Sequence, residues 1–130
     1  MTIFSKIIAG EIPSYKIAEN DNFFAFLDIF PVKKGHILVI PKTEVDKIFD
    51  VPDEYLSELL VFAKPIAKAI EKTIACNRVN IITVGLEVPH AHIHLIPTNH
   101  PGDMNLANEK LTLSKEEFEQ IQQQIIGAME

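Results

Sequence analysis

Residues 89 to 97 read Pro-His-Ala-His-Ile-His-Leu-Ile-Pro, and this strict alternation of histidine with apolar residues constrains the backbone more than any other stretch of the chain. A strand sends successive side chains to opposite faces. The spacing therefore predicts a strand with His90, His92 and His94 on one surface and Ala91, Ile93 and Leu95 on the other. Pro89 and Pro97 frame the segment, as suits residues that cannot donate to a ladder.

Neighbouring histidines on such a strand stand about 6.6 Å apart and the outer two about 13 Å apart, so rings leaning inward converge on one phosphate. An imidazole titrates near neutrality, which lets it act as nucleophile, acid or base. A histidine pair also chelates zinc, with further ligands available from His36, Glu44 or Asp28. The blandest alternative is a solvent-facing edge strand on which the rings are merely polar.

The rest of the chain has no repeats and mixes helix and strand periods. Phe4 to Ala9 reads as a short helix closed by Gly10, followed by a hairpin of Tyr15–Glu19 and Asn22–Asp28 around the turn residues Asn20 and Asp21. Gly35 to Ile40 is a further strand stopped by Pro41. Between Asp53 and Ala75, Leu56, Leu59, Leu60, Ala63, Ile66, Ala67, Ile70 and Ile74 follow helical spacing, with a kink or break expected just before Pro65. Arg78 to Val84 is strand-like. Residues 105 to 112 show no period, and Ser114 to Glu117 form a capping box that opens a final helix with Phe118, Ile121, Ile125 and Met129 on one side.

At 130 residues the chain forms one domain, long enough to bury about two thirds of its unfolded surface without disulfides. A net charge of −6 argues against coating a nucleic-acid duplex, yet allows a nucleotide in a local pocket. Cys76 is the single cysteine, no apolar run reaches membrane-spanning length, and the opening residues lack a signal-peptide pattern; a reducing cytoplasm is the expected setting.

Four segments in this order resemble the histidine triad (HIT) family of nucleotide-binding hydrolases and transferases, covering roughly residues 3–97. They are Ile-Phe-Ser-Lys-Ile-Ile-Ala-Gly-Glu-Ile-Pro from Ile3, Phe-Leu-Asp-Ile-Phe-Pro from Phe26, Gly-His-Ile-Leu-Val-Ile-Pro-Lys from Gly35, and the His-x-His-x-His run followed by two apolar residues. The resemblance implies an α+β fold, an antiparallel sheet packed with a long central helix, a short N-terminal helix and a C-terminal helix. It implies a single domain over 1–130, with its core at 3–97 and a helix-bearing extension at 98–130. It also implies a homodimer acting on a purine nucleotide.

By the same resemblance His92 is the nucleophile that attacks the α-phosphate and forms a nucleotidyl-histidine intermediate, which water hydrolyses. His90 orients and supports it, and His94, in its charged form, hydrogen-bonds the phosphate oxygens. Asp28 accepts from the ribose hydroxyls, against the plainer reading of a strand-end turn cap. Ile7, Phe26 and Ile29, helped by Phe24, build a base slot, although such residues also serve as core. His36 reads as structural and stays outside the catalytic set, His100 reads as surface, and Lys42 is available to steer phosphate.

Two departures from the family pattern matter. Many bacterial members hold a structural zinc with Cys-x-x-Cys near the start, a histidine after Ile-Pro-Lys-x, and the first triad histidine. Here Thr2, Ser5 and Glu44 stand at the first three of those positions, so no metal or other cofactor is expected. The loop before the triad reads Gly85-Leu86-Glu87-Val88-Pro89 where relatives carry a glycine-rich stretch with glutamine and a hydroxyl residue, and Thr83 stands where asparagine is frequent. Glu87, if buried beside the phosphate, would supply the leaving group's proton. The favoured activity is attack on nucleoside phosphoramidates, adenylated amines or dinucleoside polyphosphates; a catalytically weak nucleotide-binding or protein-interaction module and a metal-dependent hydrolase are the alternatives.

Overall fold

The computed structural model describes residues 1–129. Three helices, α1 (Ile3–Ile8), α2 (Asp53–Thr73) and α3 (Lys115–Ala128), accompany five strands, β1 (Lys16–Glu19), β2 (Phe23–Leu27), β3 (Ile37–Pro41), β4 (Arg78–Ile82) and β5 (Ile93–Thr98). The strands form one antiparallel sheet in the order β1-β2-β3-β5-β4. This is the α+β architecture the sequence implied.

The turn between β1 and β2 is held by Asn20, whose Oδ1 accepts from the backbone of Asn22 and Phe23 at 2.9 and 2.8 Å. That Asx geometry is what the turn residues offered. Because β5 pairs with β3 on one side and β4 on the other, the histidine segment feeds an inner strand and not a solvent-facing edge.

Strand alternation divides the core. One face carries Phe23, Ala25, Leu27, Ile37, Val39, Ile93 and Leu95 against Leu59, Ala63, Ile66 and Ile70 of α2 and Phe118, Ile121 and Ile125 of α3. The other carries Phe24, Phe26, Leu38 and Ile40 against Phe4 of α1. His94 lies directly opposite Leu38, so it falls on this second, α1-covered face.

Two sequence expectations change. The strand starts at Ile93, so only His94 of the three lies in it, although the His92 and His94 rings still meet with centroids 5.1 Å apart. The physical reason is where the backbone bonds of residues 90–92 go: His90 N donates to Val88 O at 2.8 Å, Ala91 N to Val45 O at 2.6 Å, and the His92 carbonyl accepts from Thr83 Oγ1 at 2.7 Å. Helix α2 also runs unbroken through Pro65. Pro65 lies on the exposed face, where the Val61 carbonyl left without its amide partner can meet water, while the buried stripe keeps its period. On that same helix Leu60, expected to be apolar-packed, is 58% exposed.

The capping box at α3 forms as read, with Ser114 Oγ accepting from Glu117 N and Glu117 Oε1 accepting from Ser114 N, both at 3.1 Å. The stretch ahead of it has no regular element from Asn105 to Ser114, yet it is tied to the loop after β2, Leu111 N donating to Pro31 O at 2.8 Å; in the 3₁₀ turn just before it, Asp103 pairs with Lys33 of the same loop at 3.2 Å.

Candidate active site

His36, His90, His92 and His94 are all buried, and each ring nitrogen that touches protein has an identifiable role. His92 Nδ1 lies 2.7 Å from the carbonyl of His90. A carbonyl only accepts, so Nδ1 carries the proton and Nε2 keeps its lone pair. Burial holds the His92 pKa below its ordinary value, partly offset by the hydrogen bond to the His90 carbonyl. The result at neutral pH is an uncharged imidazole with a free nucleophilic nitrogen.

The adjacent pair is fixed in the opposite sense. Val32 N–H donates to His36 Nδ1 at 3.2 Å, so the proton of neutral His36 sits on Nε2 and is donated to His94 Nδ1 at 2.9 Å. His94 then carries its own proton on Nε2, as a donor. Burial first, and for His94 the neighbouring histidines next, pushes both rings down to about 4; for His36 the Lys110 ammonium contributes as well. The expectation of a charged His94 is thus corrected: in the free protein it is a neutral N–H donor.

His90 is wholly enclosed. Its Nε2 donates to Pro41 O at 2.8 Å and its Nδ1 lies 2.9 Å from Thr2 Oγ1, so neither nitrogen faces a ligand. Phe4 packs edge-on against both His90 and His92, with ring centroids 5.9 and 5.0 Å away.

Asp28 divides its oxygens. Oδ1 accepts from Phe30 N at 2.8 Å, the turn-cap role, while Oδ2 stands 3.6 Å from His36 Nε2 and is the oxygen left to meet a ligand. Of the residues expected to build a base slot, Phe26 and Ile7 meet in one cluster with Phe4. Phe26 is 4% exposed and packs edge-on against Phe4 within the smaller core, with Phe24 beside it; Ile7 borders that cluster, and Ile29 is 53% exposed. Strand alternation placed both phenylalanines under α1.

Glu87 is exposed on the loop between β4 and His90, which removes the burial its acid role required, although its charge acts on His92. Lys42 pairs with Glu19 at 2.7 Å and is thereby drawn away from phosphate steering. His100 is exposed and caps a short 3₁₀ turn. His36, left out of the catalytic set, touches His94 directly; the signal was its position two residues before Leu38, the residue paired with His94.

Ligand atoms of Asp28, His36 and His94 lie within 4.8 Å of one another, close enough for a metal ion. The protonation pattern opposes it. With Val32 N–H directed at Nδ1, His36 would have to surrender its Nε2 proton to coordinate, becoming an imidazolate. The zinc implied by the resemblance fits no better at Thr2, Ser5 and Glu44. The hydroxyls are neutral hard donors, and Ser5 Oγ already donates to Glu44 Oε1 at 2.5 Å.

On this antiparallel sheet the site sets a neutral imidazole with a bare Nε2 beside a second imidazole protonated in the opposite sense. A family model for the HIT domain matches residues 9–101, and the chain belongs to that family. It is 44% identical over 100 residues to an adenosine 5'-monophosphoramidase of Saccharomyces cerevisiae, a match covering 73% of this chain and 61% of that protein. An adenosine 5'-monophosphoramidase of Schizosaccharomyces pombe is 34% identical over 129 residues, covering 95% of this chain and 94% of its own. Among solved structures, a Hit-like protein of Bartonella henselae described as involved in cell-cycle regulation superposes with a TM-score of 0.85 at 30% identity, covering 98% of this chain and 95% of that one.

Proposed function

We propose that this protein is a nucleotide hydrolase or nucleotidyl transferase that attacks the α-phosphate of purine nucleoside phosphoramidates, with adenylated amines and dinucleoside polyphosphates as related substrates. The observation that carries the reading is the His92 Nδ1–H···O=C His90 bond of 2.7 Å, which leaves Nε2 unprotonated in a site that keeps the ring neutral. Nε2 forms a bond to phosphorus as the bond from phosphorus to the leaving nitrogen breaks, and the leaving amine departs with a proton taken from solvent. Water then adds to phosphorus and gives up a proton to solvent, the phosphorus–histidine bond breaks with its electron pair returning to Nε2, and the nucleoside monophosphate leaves. His94 Nε2–H donates to a phosphate oxygen as charge builds, and Asp28 Oδ2 accepts from a ribose hydroxyl. The two relatives named as adenosine 5'-monophosphoramidases support adenosine as the nucleoside.

The step is proposed as metal-free, on the protonation pattern of His36 and His94. A homodimer is supported by the open edge of β4, where Ile81 is 47% exposed beside Leu60 at 58%; Ile81→Asp should then convert a dimer to a monomer in sedimentation velocity. Among the described residues no helix is long and apolar enough to cross a membrane. A cytoplasmic setting is proposed on the lone thiol Cys76, which has no second cysteine to pair with. A binding module with weak turnover is the second reading, favoured by the loop before the triad, whose Leu86 is 88% exposed and whose Glu87 makes no hydrogen bond to the histidines. Release of AMP from adenosine phosphoramidate with a chelator present, wild type beside His92→Ala, separates them. His92-dependent release supports the enzyme; nucleotide binding without release supports the module.

A further inference from the structure

Around the first triad histidine the structure closes a network that the reaction scheme above leaves unused. Thr2 Oγ1 accepts from Ser5 N at 3.0 Å, capping α1, and stands 2.9 Å from His90 Nδ1. His90 Nε2 donates to Pro41 O, which leaves Nδ1 as the acceptor of the Thr2 hydroxyl proton. Glu44 Oε1 accepts from Ser5 Oγ at 2.5 Å and from Thr2 N at 3.0 Å. The two hydroxyl protons are thereby committed to His90 and to Glu44, and the 3.1 Å contact between Thr2 and Ser5 hydroxyls has none of its own.

His90 is thus gripped at both nitrogens, between the start of α1 and the end of β3. Its own carbonyl is the atom that accepts from His92 Nδ1. A turn of the His90 residue therefore becomes a turn of the nucleophile's ring, and sub-ångström misplacement of a reacting atom is enough to slow a displacement.

We propose that Glu44, Ser5 and Thr2 form a metal-free clamp that sets the orientation and tautomer of His92 through His90, with Thr2 as the central positioning residue. The proposal rests on the hydrolase reading of His92. It differs from a purely architectural role in one respect: it predicts a defect in turnover at a folded, nucleotide-binding site.

The test is kinetics of AMP release from adenosine phosphoramidate, with imidazole 15N spectra of the same folded proteins. Thr2→Val, which keeps the shape and deletes the hydroxyl, is expected to lower kcat roughly 10- to 100-fold with KM changed by less than about twofold. Thr2→Ser restores kcat to within about threefold of wild type, and chelator changes neither. In Thr2→Val the His92 ring nitrogens are expected to lose the single Nδ1–H pattern and show mixed tautomers. Should Thr2→Val not fold, Glu44→Ala at the exposed end of the clamp is expected to lower kcat by about threefold or more at unchanged KM. Unchanged kcat in the folded variants, an equal loss in Thr2→Ser and Thr2→Val, or an undisturbed His92 spectrum would overturn the clamp. A wild-type protein that releases no AMP defeats the hydrolase reading instead, and the ring spectra still decide the clamp.

Discussion

On the face of the sheet covered by α2 and α3, apolar side chains meet apolar side chains: Ile37, Val39, Ile93 and Leu95 against Leu59, Ile66, Ile70 and Phe118. On the opposite face a smaller cluster, Phe4, Phe24, Phe26, Leu38 and Ile40, shares its side with the histidines, and four of the five buried polar residues of the molecule's described part are His36, His90, His92 and His94. The first face is held by area, which is non-directional and tolerates shape-conserving change. The second is held by directed bonds, in which a single donor decides which nitrogen bears a proton. Among the described residues no buried side-chain nitrogen or oxygen lacks a partner, so the polar face is fully satisfied as well as buried. The difference separates stability from chemistry within one 130-residue chain.

The largest effect expected on the polar face is chemical. His92→Ala should lower turnover about 10⁴-fold or more while nucleotide binding persists, measured by single-turnover release of AMP and by calorimetric titration. A variant that lost stability and activity together would merge the two faces. On the apolar face the converse holds. Ile66 is fully buried, and Ile66→Ala should cost about 2–5 kcal/mol in urea unfolding with KM unaltered in the folded fraction.

Acid should strike the polar face first. His36 and His94 titrate near 4 when folded and near 6.5 in the unfolded chain, so between these values the unfolded state binds more protons. The neutral pair's contribution is complete above about pH 6.5 and lost as pH falls toward 4, on the order of 3 kcal/mol for each ring, read as urea midpoints against pH. His36→Gln should flatten that dependence. The smallest effect is at the loop: Glu87 is exposed, and Glu87→Gln should leave kcat within about twofold and the pH–rate profile in place.

Periodicity carried the apolar face well. The helical spacing of Leu59, Ala63, Ile66 and Ile70 and the capping box at Ser114 both place their elements correctly, because propensity, pattern and packing agree there. The same spacing misjudged Leu60 and Pro65, since period alone does not tell which residues at a stripe's margin meet water. On the polar face the alternation of His90, His92 and His94 announced the site but not its shape. Residues 90–92 bond to Val88, Val45 and Thr83 in place of a neighbouring strand, and those are tertiary choices that local alternation cannot encode. The lowered titration of His94 was likewise hidden, because burial beside His36 depends on β3 and β5 being neighbours across 58 residues of sequence. Thr2, Ser5 and Glu44 stood out in the sequence only as residues replacing metal ligands; the bonds they make required the fold.

Backbone bonds give His92 directly, and His94 through His36, opposite protonation, one offering a lone pair and the other a proton. Long-range 15N–1H correlation of the imidazole rings at neutral pH, in the nucleotide-free protein, reads this directly. His92 is expected with its proton on Nδ1 and a bare Nε2, and His94 with a bare Nδ1 and its proton on Nε2. A protonated Nε2 on His92, or an imidazolium at His94, would contradict it.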